Sequence, residues 1–192
     1  MRTTWMCLAL GLMVAWAAIP VAAQTVSPQG TCIEATLLAK ANAGDAAAQV
    51  LVGDSYAAGK SVAQDYVQAA AWYRKAAEKG DAGGQIHLAA LYRDGGKHFP
   101  RDMVQAAAWY RKAAEQGDAG AQGILGVLYS MGQGVPHDDV EAYYWLDLAA
   151  SVPGPNQEKY AANRQMIGTH ITADELEAVK DRVAQWKAAH PR

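Results

Sequence analysis

A string of eleven residues, written twice, constrains this chain more than anything else in it. Gln68-Ala69-Ala70-Ala71-Trp72-Tyr73-Arg74-Lys75-Ala76-Ala77-Glu78 recurs without a change at 105–115. A third, diverged copy runs from Glu141 to Ala150. Trp72, Trp109 and Trp145 are therefore 37 and 36 residues apart. A second track keeps the same step through Gly44-Asp45, Gly80-Asp81 and Gly117-Asp118, and again through Tyr56, Tyr92 and Tyr129 and through Gly59, Gly95 and Gly132. A period of this length marks stacked units, each burying its apolar face on its neighbours.

Each unit reads as two helices. Helix A of the first copy is expected over about 46–58, with Ala48, Val52, Gly53 and Tyr56 on one face. Gly84, Leu88, Ala89 and Tyr92 hold those places in the second copy, and Ala121, Leu125, Gly126 and Tyr129 in the third. Small residues admit a neighbouring helix, and the tyrosine fills the far end of the seam. Helix B opens on Asp65, Asp102 or Asp138, with Gln68, Gln105 or Glu141 three residues on, the pattern of a capped N-terminus. Gly80 or Gly117 ends it, and the next residue, Asp81 or Asp118, caps the following helix A. So short a connection forces antiparallel packing. The extra residue of the middle copy falls between Tyr92 and Asp102, in a loop, where insertion is tolerated.

The division follows: repeats over 45–80, 81–117 and 118–152, together 45–152; an N-terminal capping helix within 31–44; capping helices within 156–190, expected near 157–167 and 173–188. Thr172-Ala173-Asp174-Glu175 opens the last with a capping box, and Pro153-Gly154-Pro155 stops the repeat. Terminal units of such arrays must cover an otherwise exposed face.

Much of the 51% hydrophobic content is alanine, the best helix former; Phe occurs once, and β-branched residues never alternate over a long run. The fold class is all-α. The net charge of -2 comes with no run of Lys or Arg, which disfavours nucleic acid as a partner. Residues 1–23 differ from the rest: Arg2, an uncharged stretch from Trp5 to Ile19, Pro20, then Val21-Ala22-Ala23. That pattern is a signal peptide cut between Ala23 and Gln24, predicting a periplasmic or secreted protein with a flexible lead over 24–30. Membrane association would come through an uncleaved signal segment. Cleavage removes Cys7 and leaves Cys32, so no internal disulfide framework is expected.

The third copy, with Ala121, Leu125-Gly126, Tyr129, Gly132, Gly134-Val135, Asp138, Ala142, Trp145 and Ala149-Ala150, resembles the Sel1-like repeat, a relative of the tetratricopeptide repeat. The first copy departs with Val52 for Leu, and the middle one at Gly84, Ala89 and Phe99-Pro100. The resemblance implies an α/α superhelical solenoid that mediates protein–protein contacts, often in bacterial envelopes. An exported branch of that family pins each repeat with a cysteine pair, and some of its members are described as penicillin-binding. This chain lacks those pairs, so that activity is not carried over.

Motifs for catalysis are missing from the sequence. It holds no phosphate loop and no Gly-x-Ser-x-Gly elbow. Among the five histidines, His137 beside Asp138-Asp139 is the densest cluster, and Asp138 there repeats the cap of Asp65 and Asp102. No catalytic residue, metal or cofactor is expected. What the copies do not share lies on helix A, opposite the packing stripe: Val50, Asp54 and Ala57; Ile86, Ala90 and Arg93; Gly123, Val127 and Ser130. This face would be the concave one, mildly apolar, with Asp54 and Arg93 as polar anchors for a peptide or a partner helix. The sequence thus predicts an exported adaptor, not an enzyme, that binds a protein or peptide. A cell-wall enzyme or peptidoglycan or β-lactam binder, and a self-associating structural module, are the competing readings.

Overall fold

A computed structural model describes residues 33–191. The signal peptide, its cleavage between Ala23 and Gln24, the lead over 24–30, Cys7 and Cys32 lie outside the described residues. The helices are α1 (Ala35–Asn42), α2 (Ala46–Ala58), α3 (Tyr66–Glu78), α4 (Ala82–Asp94), α5 (Met103–Glu115), α6 (Ala119–Met131), α7 (Asp139–Ala150), α8 (Gln157–Ile167) and α9 (Ala173–Ala189). Among the described residues there is no strand beyond an isolated bridge between Gly96 and Phe99. The molecule is an all-α solenoid in which α2, α4 and α6 are the A helices and α3, α5 and α7 the B helices.

Aspartates start the A and B helices. Asp45, Asp81 and Asp118 accept hydrogen bonds from the amides of Ala48, Gly84 and Ala121 at 2.8, 2.7 and 2.7 Å. Asp65, Asp102 and Asp138 do the same at the heads of α3, α5 and α7. Each cap contributes about 1 kcal/mol. The reciprocal box forms at α9, between Thr172 and Glu175. Gly44, Gly80 and Gly117 turn each B helix into the next A helix at φ of +97°, +88° and +91°. Only glycine takes that conformation without steric cost.

Inside a repeat, a small residue on helix A receives a large one from helix B. A Cβ on Gly53 would stand 2.5 Å from the Tyr73 ring, and one on Gly126 would stand 2.7 Å from Leu146. Ala89 and Tyr110 hold the same places in the second repeat and share one core cluster. Between repeats, a buried glutamine crosses the seam. The Nε2 groups of Gln49, Gln85 and Gln122 donate to the carbonyls of Ala41, Ala77 and Ala114 at 3.0, 3.3 and 3.1 Å. Each is a second hydrogen bond to a carbonyl in the last turn of the preceding helix, which already accepts from the Gly44, Gly80 or Gly117 amide. Arg74 and Arg111 add a second bridge, donating to the hydroxyls of Tyr92 and Tyr129 in the next repeat.

The C-terminal helices divide their work in a way the sequence does not announce. Gln157 donates to the Ala150 carbonyl at 3.1 Å, repeating the seam bond of the three A helices. Seven residues on, where the A helices carry tyrosine, Arg164 pairs with Asp147, which itself stands where Arg74 and Arg111 stand. So α8 continues the array as a fourth A helix, beyond a plain cap. In α9 the course changes: it lies on the outer side of α7. There Val179 and Val183 are buried, Arg182 pairs with Glu141 at 2.6 Å, and its guanidinium sits 4.5 Å from the Tyr144 ring.

The tryptophan track is not uniformly interior. Trp72 and Trp145 are buried, whereas Trp109 is half-buried, with the Lys112 ammonium 4.0 Å above its ring. It nevertheless touches the core clusters on both sides of it, as a residue at the centre of the array should.

Candidate functional site

The inner face of the A helices differs along the array. At its N-terminal end, Leu37, Leu51, Asp54, Ala57, Ala58 and Tyr73 line an open cleft of about 600 Å³ with Lys60 and Ser55. Asp54 and Ala57, two of the residues singled out from the sequence, sit in it, and Val50 is half-buried against the core that Tyr73 and Leu88 share. In the next repeat Ile86 and Ala90 are half-buried. At the far end, Arg93, Gly123 and Val127 line a second cleft of about 380 Å³ with Ile124, Lys159 and Tyr160.

That second cleft is partly filled by α8, which corrects the expectation for Gly123. A Cβ on Gly123 would fall 2.2 Å from the Tyr160 ring, so the tyrosine lies directly on the glycine backbone. Gly123 is buried, at the floor of the cleft beneath the Tyr160 ring. Ser130 is also less available than expected, because its hydroxyl donates to the Val127 carbonyl at 2.9 Å.

The two polar anchors have different fates. Asp54 accepts a hydrogen bond from the Tyr73 hydroxyl at 2.7 Å and remains 43% exposed. His87 approaches the same carboxylate at 3.9 Å and stacks on Tyr73 with ring centroids 5.1 Å apart. Burial raises the Tyr73 hydroxyl above its ordinary range, and the bond to Asp54 raises it further. It therefore stays protonated and stays a donor. Arg93 is not a bare cation: two of its nitrogens hold the Asp94 carboxylate at 2.7 and 2.8 Å, and a third donates to the Tyr110 hydroxyl at 3.1 Å. Its charge is answered before any partner arrives.

Leu51, His87, Tyr73, Leu37 and Tyr160 are the face residues that sequence reasoning missed. Leu51, His87 and Ile124 share one repeat position, and that position varies as freely as Asp54 and Ala90 do, so the signal was present in the alignment of the copies.

Elsewhere, His137 and His170 approach Asp139 at 3.4 and 3.5 Å, at the head of α7, where the helix dipole favours an acid. Among the described residues no three His, Cys, Asp or Glu side chains are grouped to hold a metal ion. Among them, too, no helix is long and apolar enough to cross a membrane.

Comparison with known proteins places this geometry. The Sel1 repeat model matches residues 46–81, 82–118 and 119–151. A Sel1 repeat protein from Oxalobacter formigenes, known from its crystal structure, is 33% identical, with a TM-score of 0.58 over 65% of this chain and 92% of that one. Cysteine-rich protein B of Helicobacter pylori is 21% identical, with a TM-score of 0.50 over 65% of this chain and 88% of that one, a likeness of fold alone. No curated protein matches the chain.

Proposed function

Because this chain belongs to the Sel1 repeat family, whose repeats mediate contacts between proteins, we propose that it is an exported adaptor that binds a peptide or partner protein on the inner face of α2 and α4. The observation that carries this reading is the open cleft around Asp54, set against the smaller, partly filled one around Gly123. A groove with aliphatic walls and a few placed polar groups suits an extended peptide or a helix. Leu51, Asp54, Ala57, His87 and Ala90 would make the contacts, with Arg93 at the margin. Export rests on residues 1–23, whose composition is that of a cleaved signal peptide. The same reading makes the chain a binder, with the Tyr73 hydroxyl serving to hold Asp54 in the cleft.

The test is crosslinking in intact cells with wild type, Leu51→Glu, Asp54→Lys and, as a control on the outer side, Val104→Glu, where the side chain is 64% exposed. Leu51→Glu and Asp54→Lys should each lose a product that Val104→Glu keeps. Equal recovery from all four would remove the proposed face. Mass spectrometry of the purified protein should find Gln24 as its first residue; an intact N-terminus would overturn cleavage.

A further inference from the structure

The two ends of the array are complementary halves. In the three repeats, Gly53, Ala89 and Gly126 on the A helices receive Tyr73, Tyr110 and Leu146 from the B helices. The register set by Gln157 puts Ala161 in the small position of α8. Among the described residues no B helix fills it, and α9 packs on α7. At the other end the situation is reversed. The turn at Gly44-Asp45 matches that at Gly80-Asp81, so α1 is a B helix and Leu37 holds the place of Tyr73. Among the described residues no A helix precedes it.

Exposure marks the same gap from both sides. Leu51 stands where His87 and Ile124 stand, a position that faces the preceding A helix, as the approach of His87 to Asp54 shows. Leu37 is half-buried where Tyr73, Tyr110 and Leu146 are buried, and Leu51 is 53% exposed, beside a 46% exposed side chain at His87 and a half-buried one at Ile124. On α8, Ala162 and Met166 are exposed, Met166 by 58%. Among the described residues, Leu37 at one end has no socket and Ala161 at the other has no knob.

We infer that this chain stacks head to tail on a second copy of itself, with α8 of one copy and α1 of the next forming a shared fourth repeat. Leu37 of the second copy seats on Ala161, and Leu51 of the second copy meets Ala162. The contact continues an interface that the molecule already builds three times within itself. It is heterologous, so it yields open stacks or a ring and not a closed pair. A single helix pair buries less than a standard interface, so the association is weak and concentration-dependent. Leu37 and Leu51 are shared with the cleft proposed for binding, whereas Ala161 lies on α8 outside it, so Ala161→Arg separates the two readings.

Sedimentation of the purified full chain between about 1 µM and about 1 mM tests it. Wild type should pass beyond the mass of a dimer as concentration rises. Leu37→Glu and Ala161→Arg should each weaken association by about tenfold or more. Mixed together, they should form a one-to-one dimer that grows no further, because each retains the end that the other has lost. Leu51→Glu repeats the test in a background where α1 is unaltered, and Val104→Glu, on the outer side, should associate as wild type does. Circular dichroism checks that each variant is folded. A monomer throughout the range, association untouched by Leu37→Glu and Leu51→Glu, or a mixture that stays monomeric would overturn the proposal.

Discussion

Helices α3 and α5 carry the same letters over 68–78 and 105–115, yet their tyrosines end on opposite sides of a hydrogen bond. Tyr73 donates to Asp54, whereas Tyr110 accepts from Arg93. What the string fixes by itself is local and is the same in both: Lys75 lies 3.7 Å above Trp72, and Lys112 lies 4.0 Å above Trp109. What differs is supplied by helix A, where Asp54 and Ala57 in the first repeat stand opposite Ala90 and Arg93 in the second. The B helices are therefore a constant frame, and the A helices decide the polarity that each frame presents.

The comparison is broken most readily by truncating both rings. Tyr73→Ala and Tyr110→Ala should each cost about 3–5 kcal/mol in urea unfolding, as deletion of a large buried side chain does. The two rings are 3% and 1% exposed and fill the same seam, so the losses should agree within about 1 kcal/mol. A wider gap would mean that the frames are not packed alike. Removing only the hydroxyls sharpens the contrast. Tyr73→Phe should cost about 0.5–1.5 kcal/mol, since Asp54 loses a hydrogen bond. Tyr110→Phe should cost less, because Arg93 keeps both bonds to Asp94. Equal losses would contradict the assignment of donor and acceptor.

The smallest effect is in acid. The Arg93 hydrogen bonds hold the Asp94 carboxyl below the ordinary carboxylate range against an opposing cost of burial, with smaller help from the charges of Arg93 and Arg101. A group lowered on folding stabilises at pH above its unfolded value and ceases to do so as pH falls through its folded value. The pair's contribution should thus fade below about pH 4. With the Asp94 side chain 60% exposed, solvent screening holds it to about 0.2–0.5 kcal/mol. Acid unfolding of Arg93→Gln against wild type reads it directly, and curves that fail to converge as Asp94 protonates would refute the sign.

The period of the repeats, their caps and the packing stripe of the A helices were legible in the sequence because each is a local pattern repeated in phase. The polar anchors were half legible. Asp54 and Arg93 stand at the positions their spacing implies, but the neighbour that neutralises Arg93 is the adjacent Asp94, and helical periodicity says nothing of adjacent residues. The continuation of the array into α8 was hidden for a different reason. Pro153-Gly154-Pro155 replaces the Gly-Asp turn, and the tyrosine–arginine bridge returns with its residues exchanged for Arg164 and Asp147. Only the seam glutamine survives as a letter, and one letter in eleven residues is too little to find by eye. The burial of Gly123 follows from that hidden helix, since Tyr160 belongs to it.

The seam glutamines have a further consequence, for how such a chain can be shortened or lengthened. Gln85 ties α4 to α3 across the boundary of the sequence repeat, so the pair joined most closely by side chain to backbone is a B helix with the A helix after it. A splice that respects this pair would cut within the two A-to-B loops, the place where the copies already differ in length. Removing α3 together with α4 would bring α5 onto α2. Gly53 would then receive Tyr110 in place of Tyr73, from a string it already packs against.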